Sequence, residues 1–187
     1  MKQAEIIAIQ KRVGTTPDGF WGPKSIDACQ RHLRGLMPCP NPWPKTDQSS
    51  LTAFYGAPGD ESRLTRINVA NLGVEYEDEP VTWVRCHERL AESLLRILTA
   101  IHRGPHAYVL LDYAGVVNNR PMRGGTLPSL HARGAAIDLR PLTNGNHAHW
   151  PLVADMPLGV MEEFAKEGWL AAGAFWHRDA MHFQATA

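Results

Sequence analysis

The sequence predicts an α+β domain, a small antiparallel sheet with helices packed on it, preceded by a short helical segment. Three observations carry this. Apolar residues recur at helical spacing in the first dozen positions and again before residue 102, three short apolar runs of strand length follow, and a proline-rich stretch separates the first helices from the rest. In chain order, Ile6, Ile7, Ile9 and Val13 give a short helical face that Gly14 and the turn formers Thr16-Pro17-Asp18-Gly19 stop. A second helix starts near Pro23-Lys24-Ser25 and runs through His32 or Leu33. The run MPCPNPWPKTDQSS is too rich in proline for regular structure, so the boundaries fall at 1–37 for a helical segment, 38–50 for a linker and 51–187 for the main domain. From Thr82 to His102 the positions Val84, Leu90, Leu94, Leu95, Leu98 and Ile101 predict one long amphipathic helix, with His87 and His102 on its solvent face. His106–Tyr113, Gly134–Leu139 and Met181–Gln184 read as strands, and Gly159–Gly168 as a helix ended by its glycine.

Composition narrows the function classes. The 187 residues are 44% apolar and 20% charged, an ordinary mix that supports one packed core with a small appendage. Formal net charge is zero and no long basic run occurs, so a nucleic-acid partner is not expected. No apolar run approaches the roughly 20 residues that cross a bilayer, so membrane insertion is not expected either. The start MKQAEIIAIQKR lacks the apolar stretch of a secretory signal, which predicts synthesis in the cytoplasm without a signal peptide. Cys29, Cys39 and Cys86 are odd in number and show no CxxC spacing, so they read as buried or free thiols.

The chemistry concentrates in SLHARGAAIDLRP, residues 129–141. His131 precedes a glycine turn that feeds a strand, and period-two alternation puts Ala136 and Asp138 on one face, where the small alanine leaves space beside the carboxylate. A carboxylate on the inner face of an apolar strand costs several kcal/mol unless a cation or strong donor meets it. His182, in RDAMHFQ, is a third candidate on another apolar strand. Two neutral imidazoles and one carboxylate would hold one Zn2+ per chain at the sheet and leave a fourth position for water, the pattern of a catalytic rather than a structural site. Asp179, three residues before His182, is close enough along the chain to serve as the base. His147 and His149 sit in an Asn/Gly-rich loop and are assigned no role, while Glu162, Glu163 and Glu167 read as the polar face of a helix and Asp112 and Asp155 as turn or strand-end residues.

Two resemblances follow from these residues. The combination S-x-H-x-x-G-x-A-x-D with a later D-x-x-H-F is similar to that of the zinc D-alanyl-D-alanine carboxypeptidases and L-alanyl-D-glutamate endopeptidases, the LAS metallopeptidases, over about Leu94 to Gln184. Gly168-Trp169 and Trp176 also fit that family, whereas FWHRDAMHF departs from the W-G-x-D-x-P-H-F of phage-type members. The resemblance implies zinc ligation by His131, Asp138 and His182, a base at Asp179, and an arginine on the developing oxyanion. Arg120 is preferred for that arginine because Arg120 and Gly124 match an R-x-x-x-G arrangement; Arg123 and His177 are the other candidates, and Ser129 would bind substrate or orient the loop. Separately, Gln10, Gly14, Asp18, Gly19, Gly22 and Ser25 resemble the repeat of small peptidoglycan-binding domains, over about half of a complete one. That segment is read either as a wall binder or as a helical hairpin packed on the catalytic domain.

Together the resemblances imply a monomeric, phage-endolysin-like enzyme that acts on bacterial peptidoglycan after release from the cell. The bond favoured is L-alanyl-D-glutamate. A D-alanyl-D-alanine carboxypeptidase or dipeptidase is the alternative within enzymes, and a non-catalytic wall-binding protein the alternative outside them.

Overall fold

The computed structural model describes residues 3–187 and is, as expected, a mixture of helices and small antiparallel sheets; Met1 and Lys2 of the 1–37 segment lie outside the described residues. Helices α1 (Gln3–Arg12) and α2 (Pro23–Leu36) form the N-terminal hairpin. Pro23 opens α2, where a missing N–H costs no helical hydrogen bond. The turn between the helices is organised by Gln10, which is fully buried. Its Nε2 donates to Asp18 Oδ1 at 2.8 Å, to the Phe20 carbonyl at 2.9 Å and to Ser25 Oγ at 3.0 Å, and its Oε1 accepts from Gly19 N–H at 2.8 Å. Gln10, Asp18, Gly19 and Ser25, which carry much of the wall-binding resemblance, are thus spent on one another.

The proline-rich stretch is irregular until Asp47 caps α3 (Gln48–Tyr55), accepting from Ser50 N–H at 2.9 Å, so a helix starts inside the last three residues of the expected linker. The stretch is tied down: Trp43 Nε1 donates to the Glu167 carbonyl at 2.7 Å and Asn41 Nδ2 to that of Gly168 at 2.9 Å.

Strands β1 (Leu64–Asn68), β2 (Glu75–Tyr76), β3 (Glu79–Pro80) and β4 (Trp83–His87) come next, β1 pairing antiparallel with β4 and β2 with β3. The single helix expected over Thr82–His102 is therefore corrected: its first part is β4, and only α4 (Ala91–Arg103) is helical. Val84 and Cys86 are buried while Trp83 and Arg85 are exposed, a period-two pattern that the helical reading overlooked. His87 is likewise not on a solvent face. It is fully buried, with Nε2 donating to the Tyr55 carbonyl at 3.0 Å and Nδ1 accepting from Arg89 N–H at 3.1 Å.

The run His106–Tyr113 is also corrected. Ala107–Asp112 forms a 3₁₀ helix, and only then does β5 (Tyr113–Gly115) begin. Val109 and Leu110 are buried side by side between exposed Tyr108 and Leu111, the signature of a helical turn; a short apolar run alone does not separate turn from strand.

The remaining elements are β6 (Ala136–Leu139), α5 (Pro141–Asn144), α6 (Leu158–Lys166), β7 (Leu170–Ala171), α7 (Ala172–Trp176) and β8 (His182–Gln184). The main sheet has the order β5-β6-β8-β7, antiparallel throughout, with Asp138 opposite His182 and Ala136 opposite Gln184. Between these, Phe183 faces the other way and stacks on Phe164 of α6 with ring centroids 3.9 Å apart. Strand β8 thus turns its aromatic residue to the helices and its polar residues to the opposite side.

The hairpin is docked on this body. Ile9, Cys29 and Leu33 belong to the same apolar cluster as Phe164, Trp169 and Phe183. Glu162 is not a solvent-facing residue of α6, as the sequence suggested: it is 5% exposed, held by two hydrogen bonds of 2.9 Å from Arg12 and one contact of 2.7 Å with His32. Burial works to raise its pKa, but the hydrogen bonds from Arg12 and His32 outweigh that and hold the carboxyl below its ordinary value. Cys29, Cys39 and Cys86 are free thiols, burial pushing the first and last up to about 12. Among the described residues no helix is long and apolar enough to cross a membrane.

Gly134 places the site. It adopts φ +63°, and a Cβ there would lie 2.9 Å from the backbone nitrogen of His87 and 2.8 Å from Leu64 Cδ2. Gly134→Ala is expected to cost about 2–5 kcal/mol, from left-handed strain plus a clash that backbone cannot relieve. Urea unfolding checks this.

Candidate active site

Each functional side chain is set by a short local device. His131 lies on the 3₁₀ turn Leu130–Arg133, which Ser129 caps by accepting from His131 N–H at 3.3 Å. Asp138 comes from the middle of β6 and His182 from the start of β8, as register partners. Their ligating atoms gather within 4.8 Å, the one such His/Cys/Asp/Glu group among the described residues. Asp138 Oδ1 is 3.0 Å from His182 Nδ1 and 3.2 Å from His131 Nε2, and the two ring nitrogens are 3.2 Å apart.

The outer nitrogens assign the tautomers. His131 Nδ1 is 2.8 Å from the Val116 carbonyl, which can only accept, so the proton sits on Nδ1. His182 Nε2 is 3.2 Å from Gln184 Oε1, and Gln184 Nε2 donates to Thr186 Oγ1 at 2.7 Å; with the amide in this orientation its oxygen accepts from His182 Nε2–H. Both N–H groups therefore point away from the centre. Two lone pairs and a carboxylate oxygen face one another with no donor among them, an arrangement that calls for a cation. Tetrahedral zinc with ligand bonds of about 2.0–2.1 Å sets neighbouring donor atoms about 3.3 Å apart. The three separations here, 3.0, 3.2 and 3.2 Å, fit that spacing.

The electrostatics show the same demand for positive charge. Burial opposes a charged His182, yet the hydrogen bond and charge of Asp138 raise its pKa. Burial likewise opposes an ionised Asp138, and the two histidines nonetheless hold its carboxyl far below the ordinary range. Gln184, which the sequence reading missed, orients His182 from behind. The signal was present, because a polar residue two positions after His182 on a strand shares its face. Gln184→Ala is expected to weaken zinc binding about 10–100-fold, read by competition with a chromophoric chelator.

Asp179 stands outside the group of three. It has φ +57°, its Oδ1 is buried without a hydrogen-bond partner, and its carbonyl accepts from His182 N–H at 2.9 Å. Burial raises its carboxyl above the ordinary value, and the neighbouring charge of Asp138 adds to the rise against the pull of His182 and Arg123. A carboxylate with an unfilled acceptor in a cleft is suited to taking a proton.

The cleft is about 680 Å³ and brings together His131, Asp138, Asp179 and His182 with Arg120, Arg123, Ser129 and Trp176. Both arginines reach it. Arg120 Nη1 donates to the Pro121 carbonyl at 3.1 Å, while the charge of Arg123 is the one felt at Asp179. His177 is not brought there. The chain turns through left-handed residues at His177 and Asp179, and His177 lines a neighbouring hollow instead. His147 and His149 are exposed. Gln48 and Leu51 of α3 also line the cleft, a contribution from outside the motif region that nothing in the local pattern signalled.

An open, water-accessible cleft with a cation-seeking triad and a separate unpaired carboxylate defines the class: a metal-assisted hydrolase. Residues 123–185 match the family model described as D-alanyl-D-alanine carboxypeptidase, a span that contains all four residues of the constellation. The resemblance found in the motifs is thereby borne out, and the enzyme class is a zinc metallopeptidase acting on peptidoglycan. No curated protein and no solved structure is matched.

Proposed function

We propose that this chain is an endolysin-like peptidase that hydrolyses the L-alanyl-D-glutamate bond of the peptidoglycan stem peptide, with His131, Asp138 and His182 as ligands of one zinc ion and Asp179 as the base. The observation that carries the reading is three converging acceptors without a donor, set beside the unpartnered Asp179 oxygen. Zinc, when bound, supplies a Lewis acid and lowers the pKa of water to about 7. Asp179 takes the proton of the attacking water and returns it to the departing amine, the dual role of a positioned carboxylate whose pKa lies above the ordinary value. Arg120 or Arg123 meets the negative charge that develops on the substrate carbonyl oxygen, and Ser129 fixes the turn that aims His131.

The alternative, release of a terminal D-alanine, is favoured by the description of the matched family, and two arginines in the cleft could also receive a free carboxylate. Mass spectrometry of digested wall fragments separates the two: new N-terminal D-glutamate is expected, and released D-alanine would replace the first reading with the second. A purely wall-binding role has no use for the base, so loss of activity on removing Asp179 also argues against it.

A further inference from the structure

A second hollow of about 640 Å³ lies beside the cleft and shares Trp176 with it. Its walls come from distant parts of the chain. Trp21 enters from the turn between α1 and α2, His149 and Trp150 from the loop before α6, and His177 and Arg178 from the turn that leads to Asp179. Trp176 is 42% exposed, Trp21 is half-buried, and Trp150 lies fully buried edge-on to Trp21 with ring centroids 5.3 Å apart. His149 and Arg178 are exposed, and their side chains have no hydrogen-bond or ion-pair partner among the described residues. Among the described residues no carboxylate lines the hollow.

Indole rings beside unpaired N–H donors match a pyranose. The C–H face of the sugar packs on an aromatic ring, and its hydroxyl and N-acetyl oxygens accept hydrogen bonds. We propose that this hollow is a saccharide subsite, which holds the N-acetylated amino sugar from which the stem peptide hangs while the cleft holds the peptide. The proposal rests on the peptidase reading above and deepens it. Continuity through Trp176 is the reason for assigning both hollows to one substrate molecule. In peptidoglycan the stem starts on the lactyl group of N-acetylmuramic acid, so the L-alanyl-D-glutamate bond lies one residue from the sugar. A D-alanyl-D-alanine bond lies three residues further, about 10 Å more of extended chain. A sugar held next to the cleft therefore suits the first bond. The hairpin gains a function by the same arrangement, since Trp21 makes it one wall of the substrate site.

The test compares two substrates and two variants of the zinc-loaded full chain. One substrate is the disaccharide-linked stem peptide, the other the same peptide freed of sugar. The expected result is a kcat/KM at least tenfold higher for the sugar-linked substrate, with Trp21→Leu and Arg178→Ala each removing most of that preference and leaving cleavage of the free peptide within twofold. Arg178 is exposed, so its variant keeps the test valid where Trp21→Leu perturbs folding. Equal losses on both substrates would assign the hollow to the peptide and overturn the proposal, as would the absence of a sugar preference in the wild type. In parallel, the peptide-free disaccharide is titrated into the protein and the indole N–H resonances are followed. Saturable shifts that Arg178→Ala weakens are expected, and no shift overturns the subsite. If the wild type cuts neither substrate, the peptidase reading fails, and this titration still decides the subsite by itself.

Discussion

Asp179→Ala is expected to retain one zinc ion per chain while losing about 10²–10⁴-fold in hydrolysis of wall fragments, the usual weight of a general base. The two halves of that expectation come from one geometry. Asp179 lies in the cleft but outside the cluster formed by His131, Asp138 and His182, so its removal takes nothing from the metal. Its Oδ1 is buried without a partner, so alanine relieves an unpaired polar atom, while the left-handed φ of +57° suits aspartate better than alanine; the two effects oppose each other, and the thermal midpoint should change little. Elemental analysis, a melting curve and a wall-lysis assay on the same preparation read all three. Undiminished lysis would remove Asp179 from the mechanism.

Asp138→Ala is expected to fail differently, with zinc content near zero and activity down by at least about 10³-fold. The carboxylate is the only negative member of the triad, and its Oδ1 lies 3.0 and 3.2 Å from the inward-facing nitrogens of the two histidines. Without it, two neutral imidazoles remain, too few and too weakly charged to retain the ion. Wild-type protein treated with a chelator should fall to the same level and recover on addition of zinc, whereas the variant should not recover. A variant that binds zinc as tightly as the wild type would show that other side chains hold the ion.

The candidate site was legible where chemistry and strand periodicity coincide. His131, Asp138 and His182 are polar residues embedded in apolar strand-like runs, where a side chain has few uses except as a ligand or a satisfied core residue, and Asp138 and His182 fall opposite each other in register. The first half of the expected Thr82–His102 helix was misread: Val84 lies six positions before Leu90, off the face that Leu90, Leu94, Leu98 and Ile101 share, whereas Val84 and Cys86 fit a strand, whose partner β1 lies further back in the chain. His87 was misplaced for the same reason. His177 looked close to the chemistry through its two-residue distance from Asp179, but left-handed backbone at both positions sends the side chains to separate hollows. The Gln10 network shows the converse case, a motif legible in the sequence whose residues hold the turn between the first two helices together.

The docking of the N-terminal hairpin restricts how this enzyme can be cut down or rebuilt. Deleting residues 3–36 would strip Glu162 of Arg12 and His32 and uncover the apolar surface beneath Cys29 and Leu33, stranding a carboxylate beside freshly wetted hydrocarbon. The stretch that carries the chemistry is consequently a poor cassette for transplantation. Chimeras built from this chain should keep the first helices in place and exchange parts elsewhere.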